Sequence, residues 1–256
     1  MVATVEHARR ALSLPDVSPG ISPGILRYWW DHARIPLVIL LVATIAANTS
    51  PLDQSVAHWL FFDATRQRWI GAHNWWTTAF LHDGGRWAVR GIVAASLLLH
   101  GSTYVRPRFR ALRRPSLYFS IAMILAIGLV GLLKTWTNVD CPWDLREFGG
   151  AFPYVHVFAH RPDGLRHAQC FPAAHASSGY ALMALYFVAY ERSRRYARAG
   201  LALGLAMGLI FGVAQQSRGA HFLSHDVWSA CITWLVSLTV YAFAFKSRAW
   251  ESPAPH

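Results

Sequence analysis

Long apolar segments separated by short polar loops dominate the sequence. Six of them favour α-helices that cross a membrane, because a span needs about 20 mainly apolar residues. They are residues 35–47, 87–100, 117–133, 172–190, 199–213 and 227–245. The first is short as written, and its helix is expected to begin near Tyr28. The pattern predicts an all-α fold, a six-span transmembrane helical bundle.

The segment 51–86 does not follow this pattern. Tryptophan and phenylalanine alternate there with aspartate, arginine and histidine, and no apolar run reaches spanning length. Amphipathic sequences of this kind favour helices that lie in the membrane interface. We therefore expect one or two interfacial helices on the non-cytoplasmic side, with a soluble loop packed over the bundle as the alternative.

The remaining polar regions divide the chain into one membrane domain and two tails. Residues 1–30 contain a stretch rich in proline, glycine and serine and are predicted to form a partly disordered cytoplasmic tail. Residues 31–248 form the predicted membrane domain, in which 135–171 is a polar non-cytoplasmic loop. Residues 249–256 form a short C-terminal tail.

Positive charge is concentrated in particular loops. The formal net charge is +11, and arginines cluster in the loops after the second and fourth predicted spans. Cytoplasmic loops of membrane proteins carry such an excess, so we assign these loops and both termini to the cytoplasm. The same placement argues against a nucleic-acid partner.

Four glycines in the fifth predicted span recur every four residues. They are Gly200, Gly204, Gly208 and Gly212. Small residues at this spacing allow two helices to approach closely. The fifth span is therefore expected to pack tightly against a neighbouring helix.

Three polar motifs fall at the non-cytoplasmic ends of different spans. Their ionisable residues are Lys134, His175, Arg218, His221, His225 and Asp226. Ionisable groups beside membrane spans are costly and usually mark function. The topology brings these motifs to one surface although they are far apart in the sequence.

The cations suit a site that binds and cleaves a phosphate ester. A transferring phosphoryl group needs cations and N–H donors at its oxygens. Lys134 and Arg218 can supply the cations, and the start of the fourth span at Ala174 can supply backbone N–H groups. No metal ion or other cofactor is expected, because the cationic side chains neutralise the phosphate charge.

The histidines suit the nucleophilic and acid–base steps. A neutral imidazole can attack phosphorus and form a phosphohistidine, and we assign this role to His221. His175 is expected to protonate the leaving oxygen, because the pKa of imidazole lies near the working pH. Asp226, with His225 as the alternative, is expected to orient the His221 ring.

The order and spacing of these motifs resemble the type 2 phosphatidic acid phosphatase family, the membrane relatives of the vanadium haloperoxidases. The family motifs are Lys, six residues, Arg-Pro; Pro-Ser-Gly-His; and Ser-Arg, five residues, His, three residues, Asp. Lys134 and Pro142 keep the first spacing, residues 172–175 keep the second, and residues 219–222 resemble the third. The resemblance implies hydrolysis of a lipid phosphate or diphosphate.

Several motif positions hold other residues. Cys141 stands at the arginine of the first motif, Gln215 at the arginine of the third, and His225 at its aspartate. The nearest carboxylate, Asp226, is one residue further on. An Ala-Ala pair replaces the serine and glycine of the second motif. The candidates to replace the missing arginines are Arg218, Arg146 and Arg86.

The loop 135–171 contains two cysteines and three histidines, for which the predictions differ. Cys141 and Cys170 are expected to form a disulfide, with two free thiols as the alternative. The sequence contains no zinc-type cysteine pair. The loop histidines are His156, His160 and His167. Their spacing matches no tight metal motif, so no metal site is predicted.

Other functions remain as alternatives. The protein could be a lipid phosphotransferase, a transporter or a non-catalytic lipid-binding protein; the displaced arginines favour the last. Transporters place ionisable groups near the membrane midplane, whereas these lie at span ends. The expected partners are the bilayer and a lipid phosphate. The absence of a eukaryotic targeting signal favours a multi-pass protein of a bacterial inner membrane, with its site on the periplasmic side.

Overall fold

The computed structural model describes residues 23–246, which form a helical bundle with a small cap at one end, made of residues 50–75 and 137–173. Most of the predicted N-terminal tail and all of the predicted C-terminal tail lie outside these residues. The last residues of the predicted N-terminal tail belong to the first helix, which begins at Pro23. Trp29 and Trp30 therefore lie within this helix.

Helices account for most of the described chain, and the all-α prediction is confirmed. In chain order they are α1 (Pro23–Thr49), α2 (Leu52–Leu60), α3 (Gly85–Val105), α4 (Arg113–Trp136), α5 (Ala174–Tyr180), α6 (Ala184–Ala189), α7 (Arg194–Ser217) and α8 (Leu223–Val240). π-Helical turns at Trp76–Gly84 and Tyr241–Phe245 extend the start of α3 and the end of α8. Within residues 23–246, five helices are long and apolar enough to cross a membrane: α1, α3, α4, α7 and α8 with their extensions.

The fourth predicted span, 172–190, differs from the other five. It folds as α5 and α6, joined by the 3₁₀ turn Ala181–Met183, and so forms no single long helix. Its residues nevertheless belong to the bundle interior, where Ala181 and Phe187 are fully buried. Five of the six predicted spans are thus present as continuous helices. A membrane crossing by the remaining one, residues 172–190, stays a prediction.

The glycine spacing in α7 produces the close helix contact that was predicted. A Cβ atom at Gly208 would overlap the ring of Tyr180, and one at Gly204 would overlap the backbone of Met183. Glycine at these positions lets α7 lie directly against α5 and the turn that follows it. Close van der Waals packing of this kind holds helices together in lipid.

Aromatic side chains fill the centre of the bundle. Tyr118 of α4 packs edge-on against Tyr241, and Phe187 of α6 stacks on the same tyrosine at a ring distance of 5.3 Å. The Tyr118 hydroxyl donates a hydrogen bond to the carbonyl of Ser237. A buried hydroxyl needs such a partner, so this core joins α4, α6 and α8 in one arrangement.

The segment 51–86 contains one of the predicted amphipathic helices, α2, followed by a hairpin that was not predicted. Strands β1 (Phe62–Asp63) and β2 (Arg68–Trp69) pair antiparallel. Each strand has two residues, too few for an alternating pattern to appear in the sequence. The helix that continues as α3 begins at Trp76, well before the predicted start at residue 87.

The basic loops gather at the other end of the bundle. Lys246 lies over the ring of Tyr28 and forms an ion pair of 3.0 Å with Glu191. The start of α1, the loop between α6 and α7, and the end of α8 therefore meet at one end. The loop that carries His221 lies at the opposite ends of α7 and α8.

Candidate active site

A cavity of about 930 Å³ opens at the end of the bundle away from the basic loops. Its walls come from α3, α4, the start of α5 and the loop between α7 and α8. Six of the predicted catalytic and phosphate-binding residues line it: Arg86, Lys134, Ala174, His175, Arg218 and His221. The structure thus brings together the three motifs that the sequence placed on one surface.

His221 is held by a backbone carbonyl. Its Nδ1 donates a hydrogen bond of 2.7 Å to the carbonyl oxygen of Cys170. This bond fixes the tautomer and leaves Nε2 as the ring nitrogen with a free lone pair. Burial, together with the nearby His225 and Lys134, holds the pKa of His221 well below its ordinary value. The imidazole is therefore neutral near pH 7, as a nucleophile must be.

His225 lies directly behind His221. The two Nδ1 atoms are 3.5 Å apart, and the His225 ring is 1% exposed. His225 occupies the sequence position at which the family motif has an aspartate. Among the two predicted orienting residues, His225 is the one that reaches His221.

The carboxylate of Asp226 points elsewhere. Its Oδ2 accepts a hydrogen bond from the amide of Gln216, and its Oδ1 is buried without a partner among the described residues. Successive residues of an α-helix point about 100° apart, so Asp226 faces α7 while His225 faces His221. The structure does not bring Asp226 to His221, in contrast to the expected contact.

His175 stands at the opposite side of the cavity, in the first turn of α5. Its Nε2 donates a hydrogen bond of 3.1 Å to the carbonyl of Leu81. Its ring stacks on Phe211 at 4.7 Å, and the ring of His82 lies 4.9 Å away. These contacts fix the ring plane and leave Nδ1 for proton transfer.

Lys134 and two of the three candidate arginines line the cavity, and the third arginine does not. Lys134 and Arg218 are half-buried at its wall, and Arg86 is exposed on α3. Arg146 instead donates a hydrogen bond to the carbonyl of Ala151 and does not line the cavity. Of the three arginines expected to replace those of the family motifs, the structure brings two to the site.

Gln215 takes the place of the arginine in the third motif. It is buried at the cavity wall, and its Oε1 accepts a hydrogen bond of 3.4 Å from Arg218. Its Nε2 is buried without a partner among residues 23–246. A buried donor of this kind is available to an oxygen atom of a ligand.

Cys141 and Cys170 are joined by a disulfide in the structure, with their Cα atoms 5.1 Å apart. Both cysteines line the cavity. Because the carbonyl of Cys170 accepts the His221 hydrogen bond, the disulfide tethers the group that holds the His221 ring.

Residues of the cap contact the loop that carries His221 on both sides of that histidine. Gly219 has a positive φ of 75°, and a Cβ atom there would overlap the ring of Trp69 in β2. Its carbonyl accepts a hydrogen bond of 2.9 Å from the backbone N–H of Trp143. On the other side of His221, Asp53 of α2 accepts the backbone N–H of Ser224. The hairpin and α2 thus brace both sides of the loop.

Two cavity residues were missed at the sequence level. They are His82 and Arg90, which lie four residues on either side of Arg86. Their spacing on one helix face is a signal that the sequence contains. Because the predicted second span begins at residue 87, His82 and Arg86 fall in the preceding segment and not on the same predicted helix as Arg90.

The histidines of the loop 135–171 have contacts of their own. The Nδ1 of His156 lies 3.0 Å from the carbonyl of Ala47. Within residues 23–246, no group of three or more histidine, cysteine, aspartate or glutamate residues is arranged to hold a metal ion.

A family model provides an independent assignment. The model of the PAP2 superfamily matches residues 115–249, more than half of the chain. The matched region includes Lys134, His175 and His221, whereas α3 lies outside it. Searches of curated proteins and of solved structures each found no match to the chain. From the family match, and in agreement with the arrangement of these residues, the chain belongs to the PAP2 superfamily.

Proposed function

We propose that this protein is an integral membrane lipid phosphatase that hydrolyses a lipid phosphate or diphosphate through a phosphohistidine. Membership of the PAP2 superfamily supports a phosphatase-type activity. The observation that carries the finer proposal is the His221 ring, buried, neutral and tied through Nδ1 to Cys170, beside a cavity that also contains Lys134 and Arg218.

The phosphoryl group is bound by cations and neutral donors. Lys134 and Arg218 neutralise its oxygens from two sides of the cavity. The buried amide of Gln215 donates to a third position, where an arginine would donate in the family motif. The backbone N–H groups at Ala174 add further donors. These groups are fixed before the substrate arrives, which is what stabilisation of a charged transition state requires.

The first chemical step transfers the phosphoryl group to His221. Nε2 forms a bond to phosphorus, and the bond between phosphorus and the leaving oxygen breaks with its electron pair on that oxygen. His175, which takes up a proton at Nδ1 when the phosphate anion binds, donates that proton to the leaving oxygen. The positive charge that develops on His221 is stabilised by the Nδ1–H bond to the Cys170 carbonyl.

The second step releases orthophosphate. A water molecule attacks phosphorus from the side of the departed group, and the P–N bond breaks to restore neutral His221. His175, left neutral by the first step, accepts a proton from the attacking water. Each proton given in the first step is thus regained in the second.

The shape of the cavity supports a lipid substrate. Beyond the polar end, it is lined by apolar side chains of α3 and α4: Val93, Leu97, Ile124 and Ile127. Both helices are long and apolar enough to cross a membrane. A hydrocarbon chain can therefore extend between them while its phosphate reaches His221.

The distribution of charge supports a periplasmic site in a bacterial inner membrane. Arginine and lysine gather at the end of the bundle that contains Lys246 and the loop after α6. The positive-inside rule assigns that end to the cytoplasm. The cavity lies at the other end and opens to the periplasmic leaflet.

Phosphate release by the purified protein tests this proposal. Phosphatidic acid, phosphatidylglycerol phosphate, lipid A and isoprenyl phosphates are compared as substrates in detergent, with the His221→Ala variant as control. Orthophosphate release by the wild type and not by the variant is expected. Equal release by both would exclude the proposed nucleophile, and lipid binding without release by the wild type would support a non-catalytic protein.

A further inference from the structure

One face of α3 lines the cavity, and its side chains change in chemical type along the helix. His82 in the π-helical turn is followed by Arg86, Arg90, Val93 and Leu97, all of which line the cavity. Residues spaced by three and four lie on the same helix face. Along this wall the side chains change from imidazole to two cations and then to hydrocarbon.

The two arginines lack an acidic partner. Neither Arg86 nor Arg90 forms an ion pair or a side-chain hydrogen bond within residues 23–246; Arg90 only packs over the ring of Trp87, at 4.8 Å. From the helix rise, Arg90 lies about 22 Å from the cytoplasmic end of α3, within the depth of a hydrocarbon core about 30 Å thick. An unpaired arginine at this depth is costly and usually marks function.

The first of these arginines lies next to the proposed general acid. A Cβ atom at Gly85 would stand 3.5 Å from Cε1 of His175, so α3 approaches that ring closely. Arg86, the following residue, interacts electrostatically with His175. Arg86 therefore lies on the same side of the cavity as His175, and Arg90 follows one turn further along α3.

We propose that Arg86 and Arg90 bind the phosphate of the leaving group, so that the preferred substrate is the diphosphate ester of a long apolar chain. This inference rests on the proposed phosphatase function. His221 forms the bond to the terminal phosphorus, and the bond from that phosphorus to the bridging oxygen breaks. The electron pair stays on the bridging oxygen, which becomes part of a lipid monophosphate.

The charge of the leaving group distinguishes this substrate from others. A lipid monophosphate loses an alcohol, which is neutral once His175 has protonated it and needs no cation. A lipid diphosphate loses a phosphate monoester, which is an anion. Two arginines one helical turn apart match that anion, since guanidinium groups bind phosphate oxygens through charge-assisted hydrogen bonds. The apolar residues that follow on α3 then hold the chain.

A pair of substrates with the same chain tests the inference. Farnesyl diphosphate and farnesyl monophosphate are supplied in detergent to the wild type and to Arg86→Gln, Arg90→Gln and the double variant. For each arginine, kcat/KM for the diphosphate is expected to fall about tenfold, the loss of one charge-assisted hydrogen bond. For the monophosphate it is expected to change less than about threefold, a residual effect of removing one nearby charge.

Two further variants serve as controls. Arg106→Gln removes an equal charge at the far end of α3, outside the cavity, and is expected to leave both substrates unchanged. Arg218→Gln removes a cation from the transferred phosphoryl group and is expected to slow both substrates equally. Arg86→Lys with Arg90→Lys is expected to restore part of the preference for the diphosphate.

The outcomes separate this inference from the function on which it rests. An active wild type whose substrate preference is unchanged in the double variant would overturn the inference and leave the phosphatase proposal standing. Equal losses on both substrates would also overturn it. A wild type that releases phosphate from neither lipid would remove the phosphatase proposal. In that case, binding of methylene-bridged farnesyl diphosphonate decides the inference: equal affinity of the wild type and the double variant overturns it.

Discussion

The two walls of the cavity are built differently. On the wall that carries His221, the polar groups are buried and hydrogen-bonded to one another, as in the contacts between His221, Cys170 and His225. On the α3 wall, Arg86 and Arg90 are exposed and have no acidic partner among the described residues. The first wall is fixed in place before binding, whereas we propose that the second is completed by a ligand.

This difference follows from how each wall is made. The His221 wall joins segments that are distant in the sequence and are tied by a disulfide and backbone hydrogen bonds. Such ties hold a nucleophile in one geometry, as catalysis requires. The α3 wall is one face of a single helix, whose long side chains can adjust to a substrate. The proposed reaction chemistry and the proposed substrate choice thus fall on different elements.

The largest effect is expected for the nucleophile itself. His221→Ala should lower kcat for the best lipid substrate by about 10⁴-fold or more, because removal of a covalent nucleophile leaves only binding and charge stabilisation. The free energy of unfolding and the far-ultraviolet circular dichroism of the variant show whether it is folded. A folded variant that keeps more than about a hundredth of wild-type kcat would show that His221 is not the nucleophile. The His221 wall and the α3 wall would then no longer differ in role.

A smaller loss is expected at the general acid. His175→Gln should lower kcat by about 10² to 10⁴-fold on a lipid monophosphate, the usual contribution of general acid catalysis. On p-nitrophenyl phosphate the loss should be much smaller, because that leaving group needs no proton. Equal losses on the two substrates would mean that His175 acts by holding the cavity together.

The disulfide offers a test of how firmly the His221 wall is fixed. Cys141→Ser opens a loop with a sequence separation of 29 residues. The chain-entropy model gives a loss of about 3–4 kcal/mol in the free energy of unfolding. We also expect kcat to fall, because the Cys170 carbonyl is no longer tethered beside His221.

Cys231→Ser is the matched control, since that cysteine is buried and free. Neither the free energy of unfolding nor kcat is expected to fall as it does in Cys141→Ser. Intact-mass measurement after alkylation, with and without reductant, checks the bond itself. Equal labelling in the two samples would show that the wild-type cysteines are free thiols.

The smallest effect is expected at Asp226. Asp226→Asn keeps an oxygen acceptor for Gln216 and alters a side chain that does not reach His221. Steady-state kcat should therefore stay within about threefold of the wild type, as at a site outside the reacting groups. A loss near 10⁴-fold, which is typical when the partner of a catalytic histidine is removed, would show that Asp226 orients His221 after all.

The sequence was sufficient for the helices and for the residues that the motifs place at span ends. Apolar length identified five helices, and the spacing of Lys134, His175 and His221 was enough to place them in one cavity. These features are local or depend only on topology. A helix end on a given side of the membrane can be assigned without knowing the tertiary packing.

Other features could not be obtained from local patterns. The partner of His221 is the backbone carbonyl of Cys170, and a carbonyl has no residue type by which to recognise it. Whether His225 or Asp226 faces His221 depends on how α8 is rotated about its own axis, because successive helix residues point in different directions. Only the packing of α8 determines that rotation. The 3₁₀ turn between α5 and α6 likewise lies inside an apolar run with no local signal.

Direct capture of the phosphorylated enzyme tests the role of His221 most sharply. Lipid substrate labelled with ³²P in its terminal phosphate is mixed with the wild type and quenched in alkali within one turnover, and the labelled peptide is identified by mass spectrometry. Phosphate on His221, stable in alkali and lost in acid, is the expected result. Turnover with no labelled enzyme, or a label on another residue, would contradict it.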